Sequence, residues 1–294
     1  MSTPEVVRAR PSRPLLRRLL QTETKWNPKV MVGRVVLRVL PEPALHRLKK
    51  RYYAYLISHR PESWMEEDAA VCASLISPND TVLDIGASLG SFSLFMAKRA
   101  AKVYAFEPIP QTFDFLKNNM RRMQVPNVEC LNLALSDRDD EQVMIIPKSY
   151  DWGQECWYDA RVKTANAKPG AREIKVISRT LDSLNPPPIS FIKCDANFHE
   201  LWVLTGALET IKRDHPAMLI EVNPDPDNET TSAFKTFELL QAEGYEGYWF
   251  DGAGLHLRQR GERSQNYFFL RPEHVAKLPA QFRFPTEFAL PEAV

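Results

Sequence analysis

The chain has 294 residues, 44% hydrophobic and 26% charged, with a formal net charge of +1. That length suits one large or two small domains of an ordinary soluble protein. No run of about 18 uncharged apolar residues occurs, so no transmembrane helix is expected, and the arginine-rich start lacks the apolar core and cleavage site of a signal peptide.

The small net charge conceals an asymmetry. Residues 1–60 carry 14 Lys+Arg against 3 Asp+Glu, a net of +11, while the remainder carries −10. A basic arm on an acidic body can bind that body, an anionic surface or an acidic substrate. Pro4, Pro11 and Pro14 among the arginines predict a mobile start. Residues 15–20 predict a helical turn or two, and the apolar run Val30–Leu40 is ended by Pro41 and Pro43. From Ala44 to Ile57, Leu45, Leu48, Tyr52, Tyr55 and Leu56 form a helical stripe opposite His46, Lys49, Lys50 and Arg51. Such a helix caps a neighbouring domain or lies on a membrane surface. The chain thus divides into a basic, partly helical extension, 1–60, and an α/β domain, 61–294.

Residues 66–76 predict the helix that enters this domain. TVLDIGASLG, residues 81–90, follows a polar turn and reads as strand, glycine turn and helix. Asp84 ends the strand, Gly86 and Gly90 make the turn, and Phe92, Phe95 and Met96 then fall on one helical face. Glycines let a ligand approach the backbone, and the helix start offers free N–H groups. The spacing is G-x-x-x-G rather than the G-x-G-x-x-G that holds a pyrophosphate. Asp84 would repel a phosphate and attract an ammonium, which points to S-adenosylmethionine. The next strand, 102–107, ends in Glu107, placed to accept both ribose hydroxyls. A helix over 110–123 and a third strand over 128–135 follow, ending in Ser136 and Asp137, which are expected beside the adenine or in a turn.

Residues 138–180 interrupt the alternation. Gln142–Ile146 and Ile174–Ile177 predict β segments around a loop with Tyr150, Trp152, Trp157 and Tyr158, which suits stacking on sugar rings or packing on itself. Strand four, 190–194, ends in Asp195 and leads to a helix from His199 to Leu208. Strand five, 217–222, carries Glu221, with Asn223 after it. A helix over 230–242 and strands over 245–250 and 267–270 complete the pattern, the last two separated by a polar loop or short hairpin. Alternating strands and helices predict a mostly parallel seven-stranded sheet with helices on both faces. Ligands bind such sheets at the carboxyl ends of the strands. Asp84, Glu107, Asp137, Asp195 and Glu221 are all expected on that rim. The four scattered cysteines predict reduced thiols, hence a cytoplasmic protein without structural zinc.

VLDIGASLGSFSLFMAK (82–98), VYAFEPIPQTFDFLKNN (103–119), NLALSD (132–137), RTLDSL (179–184), FIKCDANFHELWVLTGAL (191–208) and PAMLIEVN (216–223) together resemble the FkbM-type family of S-adenosylmethionine-dependent methyltransferases. The resemblance spans about residues 66–271. It implies a class I methyltransferase fold, Rossmann-like, and O-methylation, often of sugars in glycans or glycosylated metabolites. It places Asp84, Gly86 and Gly90 on the methionine part of the cofactor and Glu107 on the ribose. The chain departs from the family pattern at Ser88, where Asn is frequent, and at Asp195-Ala196-Asn197-Phe198, which replaces D-V-E-G. Glu200 matches the acid later in that motif.

Methyl transfer to an alcohol needs a positioned acceptor and a base for one proton. Asp195 and His199, four apart across a strand-to-helix turn, are the candidates. Asp195, Glu221 and Asn223 also offer oxygen ligands to a divalent cation. The expected partner is a small-molecule or glycan hydroxyl acceptor, with no nucleic acid, a homo-oligomer as an open option and peripheral membrane contact through residues 1–60. Two other readings compete: a non-catalytic S-adenosylmethionine-binding scaffold, and a nucleic-acid methyltransferase suggested by the basic arm.

Overall fold

The structure is a computed structural model and describes residues 41–59, 68–147, 155–164 and 171–282. In chain order the elements begin with α1 (Glu42–His59), α2 (Ala69–Leu75), β1 (Thr81–Ile85), α3 (Ser91–Ala97), β2 (Lys102–Phe106), α4 (Pro110–Arg122) and β3 (Val128–Leu131). Next come β4 (Ala134–Leu135), β5 (Asp140–Ile146), β6 (Arg161–Val162), β7 (Arg172–Arg179), β8 (Phe191–Cys194), α5 (Glu200–Thr205) and α6 (Leu208–Asp214). The last are β9 (Ala217–Glu221), α7 (Ser232–Ala242), β10 (Glu246–Phe250), β11 (Leu255–Leu257), β12 (Asn266–Leu270) and α8 (Pro272–Lys277).

Among the described residues the main sheet has eight strands in the order β11-β10-β12-β9-β8-β1-β2-β3. β3, β2, β1, β8 and β9 are parallel, and β12, β10 and β11 are each antiparallel to their neighbours. The expected seven strands are present, and β11 is the addition: the polar stretch after Phe250 folds back as a hairpin strand on β10. β1 lies at the centre and is buried from Val82 to Ile85. Its side chains alternate between faces: Leu83 joins Ile192, Phe106, Val203 and Phe237, whereas Val82 joins Phe191, Met96, Val103 and Phe268. Burial on both faces is the usual state of a parallel strand between helices.

The third strand does not run on to residue 135 as expected. β3 stops at Leu131, and Asn132 turns its side-chain amide to the carbonyls of Glu107 and Pro108 at 2.8 and 3.0 Å. The chain then enters a second sheet of order β4-β7-β5-β6. The expected β segments over 142–146 and 174–177 are the middle of its long antiparallel pair, β5 with β7. Much of the aromatic loop, 148–154, lies outside the described residues. Trp157 is within them, and it packs against Phe115 with ring centroids 5.9 Å apart rather than presenting a platform.

The helix expected from His199 to Leu208 is two helices, α5 and α6, with Gly206 at the break. A Cβ on Gly206 would lie 1.9 Å from the Ser136 carbonyl oxygen, so the close approach of the second sheet requires glycine there. α7 starts on Thr231, whose hydroxyl accepts the Phe234 N–H at 3.1 Å. α1 lies where the basic helix was predicted, and Tyr52 of the predicted stripe packs on the domain, whereas two other members of the stripe do not. Leu48 and Tyr55 are 38% and 57% exposed, while Ile57 is buried beside Leu89, Phe115 and Leu116. Lys50 reaches Asp114 on α4, with Nζ and Oδ2 2.7 Å apart. Residues 1–40, with the rest of the basic arm, lie outside the described residues. Among the described residues no helix is long and apolar enough to cross a membrane.

Candidate active site

The turn after β1 is built by its backbone. Gly86 and Gly90 have φ of 76° and 86°, a region that favours glycine, and Ser88 joins them at 52°. Asparagine tolerates that region better than serine, which gives a physical reason for the family's preference at position 88. A Cβ on Gly86 would sit 1.8 Å from the Asp195 carbonyl oxygen, so the ends of β1 and β8 nearly touch. The Gly86 and Ala87 N–H groups both donate to the Phe106 carbonyl, and Asn119 of α4 donates to the Leu89 carbonyl at 2.9 Å. The turn is therefore fixed from both sides.

Glu107, at the end of β2, is 5% exposed. Its two carboxylate oxygens accept the Ser88 and Ile109 N–H groups, each at 2.9 Å. Burial pushes its carboxyl up to about 7, with those N–H bonds opposing. Asp84 is fully buried; its Oδ2 accepts the Ser93 hydroxyl at 2.5 Å, while its Oδ1 has no hydrogen-bond partner. Burial raises the Asp84 carboxyl as well.

The charge that answers these acids was not singled out from the sequence. Lys193 Nζ, on β8, lies 3.1 Å from Asp195 Oδ2 and 3.9 Å from Asp84 Oδ1. Its side chain is 12% exposed. Burial works against the ammonium, but Asp195 and Asp84 outweigh it and hold Lys193 charged. A lysine inside Phe-Ile-Lys-Cys, an otherwise apolar central strand, was the signal available in the sequence. Asp195 and Glu221 hydrogen-bond to each other. Lys193 keeps Asp195 ionised, and burial next to that charge pushes Glu221 up to about 8. Gln265 donates to the other side of Glu221 at 2.5 Å.

Of the five carboxylates expected on the rim, Asp84, Glu107, Asp195 and Glu221 gather there. Asp137 does not, because it travels with β4 to the second sheet, beside Arg138 at 3.4 Å. Its neighbour Ser136 is completely buried and bonded on three sides: to Asp137 Oδ1 at 3.1 Å, to His199 Nε2 at 2.9 Å and from Gln142 Nε2 at 2.7 Å. With the hydroxyl proton directed at Asp137, His199 Nε2 carries its hydrogen and Nδ1 the lone pair. Burial depresses His199 to about 4, so the ring is neutral at physiological pH, and it stacks on Trp202 at 4.9 Å. His199 and Asp195, four apart in the chain, thus face different partners.

The altered motif forms the turn between them. Asn197 and Phe198 both have positive φ, 49° and 72°. Glu200 spans the turn, accepting the N–H groups of Ala196 and Phe198 at 3.0 and 3.2 Å from a buried carboxylate that is pushed up to about 7 by that burial. Asn197, in place of the family's glutamate, donates to the Ala160 carbonyl at 3.2 Å.

The oxygen set proposed for a divalent cation does not fit one. The Lys193 ammonium occupies the position against Asp195, and Asn223 is exposed. No cluster of three or more His, Cys, Asp or Glu suited to an ion occurs among the described residues. All four cysteines are free thiols.

Comparison with known proteins addresses the family. Residues 84–246, more than half of the chain, match the methyltransferase FkbM domain. The chain is 38% identical over 78 residues to the AMB antimetabolite synthetase AmbE of Pseudomonas aeruginosa, a match covering 26% of this chain and 4% of that protein. It is 25% identical over 120 residues to the 23S rRNA (uracil(1939)-C(5))-methyltransferase RlmD of Aliivibrio fischeri, covering 41% of this chain and 24% of that one. The chain thus spans a minor part of the length of these relatives. A crystal structure of methyltransferase FkbM from Methylobacillus flagellatus is similar at 15% identity and a TM-score of 0.44, over 81% of this chain and 57% of that one. The extent of the domain match, from Asp84 at the end of β1 to Glu246 at the start of β10, places the chain in the FkbM methyltransferase family.

Proposed function

We propose that the protein is an S-adenosylmethionine-dependent O-methyltransferase acting on a hydroxyl of a sugar. The observation that carries the cofactor reading is the buried carboxylate of Glu107 at the end of β2, which accepts the Ser88 N–H of the glycine turn after β1. Glu107 has lone pairs left after its two backbone bonds and is the residue to hold the ribose hydroxyls. Family membership supports the methyl-transfer class.

When bound, the cofactor supplies an electrophilic methyl group on a sulfonium. The remaining tasks belong to the chain. Asp84 is proposed to orient the amino-acid head and Glu107 the ribose. His199, neutral and held by Ser136, offers the Nδ1 lone pair to the acceptor proton. Asp195 is bound to Lys193 and Glu221, so its role is to set the charge of the rim.

Calorimetric titration of S-adenosylmethionine into the full chain and into Glu107→Ala tests the cofactor reading. Binding by the wild type that the variant loses is the expected result. Absence of binding by the wild type would leave the competing scaffold reading without its ligand as well. The RNA methyltransferase among the relatives favours a second reading, a nucleic-acid acceptor, whose mark would be RNA binding that falls steeply with salt.

A further inference from the structure

A cavity of about 430 Å³ opens between the second sheet and the Asn197–Trp202 turn. It is distinct from the carboxylate rim and shares one wall with it, the turn that starts at Asp195. We infer that this cavity is the acceptor site and that it takes a sugar ring bearing an anionic group, a carboxylate or a phosphate. The inference rests on the methyl-transfer reading above.

Charge is the first argument. Three cations, Arg138, Arg161 and Lys163, line the cavity against one carboxylate, Asp140. Asp137 answers Arg138 at 3.4 Å, and Glu173 answers Lys163 at 2.7 Å. Asp140 accepts the adjacent Glu141 N–H at 2.7 Å and keeps its charge, so the surroundings balance overall and the local feature is an unpaired guanidinium. Arg161, on β6, makes no ion pair among the described residues. Its guanidinium is a planar fork that matches a carboxylate or phosphate with two parallel bonds.

Aromatic exposure is the second. Phe198 is 46% exposed and Trp202 36%, and both line the cavity. The His199 ring lies between them in sequence and is stacked on Trp202 at 12°. Flat apolar faces beside polar groups suit a pyranose, which has a C–H face and a hydroxyl edge. The volume is within the range of small-molecule sites. His199, the proposed base, is part of the same wall, so a hydroxyl of a bound ring has a proton acceptor at hand.

Backbone strain is the third. Phe198 has a φ of 72°, where a bulky side chain is an outlier and glycine is relaxed. Glu200 and Asn197 pin the turn through Ala196, Phe198 and Ala160, and so hold the conformation against the strain. A phenylalanine in that conformation brings a ring into the cavity at a cost that glycine would avoid.

The full chain, Phe198→Gly and Arg161→Gln would each be titrated with S-adenosylmethionine and then, with it present, with methyl glucuronide, glucose 6-phosphate and methyl glucoside. The wild type is expected to bind one of the two anionic sugars at least roughly tenfold more tightly than the neutral glycoside, and the tighter one identifies the acid. Arg161→Gln erases that difference. Phe198→Gly weakens every sugar at least roughly tenfold while raising Tm by about 2–4 °C. The inference is overturned if no sugar binds, if the neutral glycoside binds equally, if the preference survives Arg161→Gln, or if Phe198→Gly binds sugar as the wild type does. Failure to bind S-adenosylmethionine would instead overturn the methyl-transfer reading, so the two failures are distinguishable.

Discussion

Lys193 Nζ and Asp195 Oδ2 are 3.1 Å apart on alternate residues at the end of one central strand, and the lysine is the cation around which Asp84 and Glu221 also gather. Removing it strands two carboxylates in a buried place. Lys193→Met is expected to cost about 3–5 kcal/mol, as breaking a buried ion pair does, and Lys193→Met with Asp195→Asn to cost less than Lys193→Met alone. Urea unfolding of the single and double variants checks this. A single variant as stable as the wild type would show that the ammonium is not holding the rim together.

Burial pushes the Glu107 carboxyl up to about 7, and the ribose hydroxyls would favour its ionised form. Below that value the carboxyl must lose a proton before the cofactor binds. Affinity for S-adenosylmethionine should therefore rise roughly tenfold per pH unit up to about 7 and level off above it. Calorimetry from pH 5.5 to 8.5, in buffers of different ionisation enthalpy, reads both the slope and the proton released. A flat profile argues against this contact.

Stability should run the other way with pH. Burial raises the carboxyls of Glu107 and Glu200 to about 7 and that of Glu221 to about 8. A carboxyl with a raised folded pKa contributes stability that is present below its unfolded value and lost as pH rises through the folded one. The Tm of the cofactor-free protein is expected to fall between about pH 5 and pH 8. Calorimetric scans with saturating S-adenosylmethionine should show a smaller fall, since a cationic ligand favours the ionised rim.

His199→Ala should lower kcat for methyl transfer by about 10²–10⁴, the usual range for a general base, and leave cofactor affinity within a factor of about two. Transfer of a tritiated methyl group measures the first and calorimetry the second. An equal loss in both would move His199 from proton transfer to support of the turn.

Gly206→Ala tests the junction between the sheets. The added methyl meets the Ser136 carbonyl, part of the backbone that presents the hydroxyl to His199. A loss of about 1–3 kcal/mol is expected, the range for forced overpacking. A thermal shift assay suffices.

Much of this site could be read from the chain. Asp84, the two glycines and Glu107 lie close to strand ends marked by clear changes of period, and a strand end is a local property. Asp137 was misplaced because the course of the chain after Leu131 depends on Asn132 capturing two carbonyls from another strand, which no periodicity encodes. The pairing of Lys50 on α1 was hidden for the same reason, since Asp114 lies 64 residues away. Lys193 was visible as an anomaly in an apolar strand, but its partners are contributed by β1 and β9 and by the residue just past its own strand. Ser136 and His199 were each picked out, yet their bond spans 63 positions.

The placement of β12 between β9 and β10 has a consequence for biosynthesis. During translation β9 emerges with one side unpaired, and β10 cannot reach the sheet until residues 266–270 have left the ribosome. Until then the edge of β9 and the apolar face of α7 around Phe237 await Tyr267 and Phe269, whose rings meet Phe237 edge-on. A nascent chain paused after residue 250 therefore offers an open parallel edge to chaperones or to its neighbours on a polysome. Among the described residues, the last strand to be made joins β10 to β9.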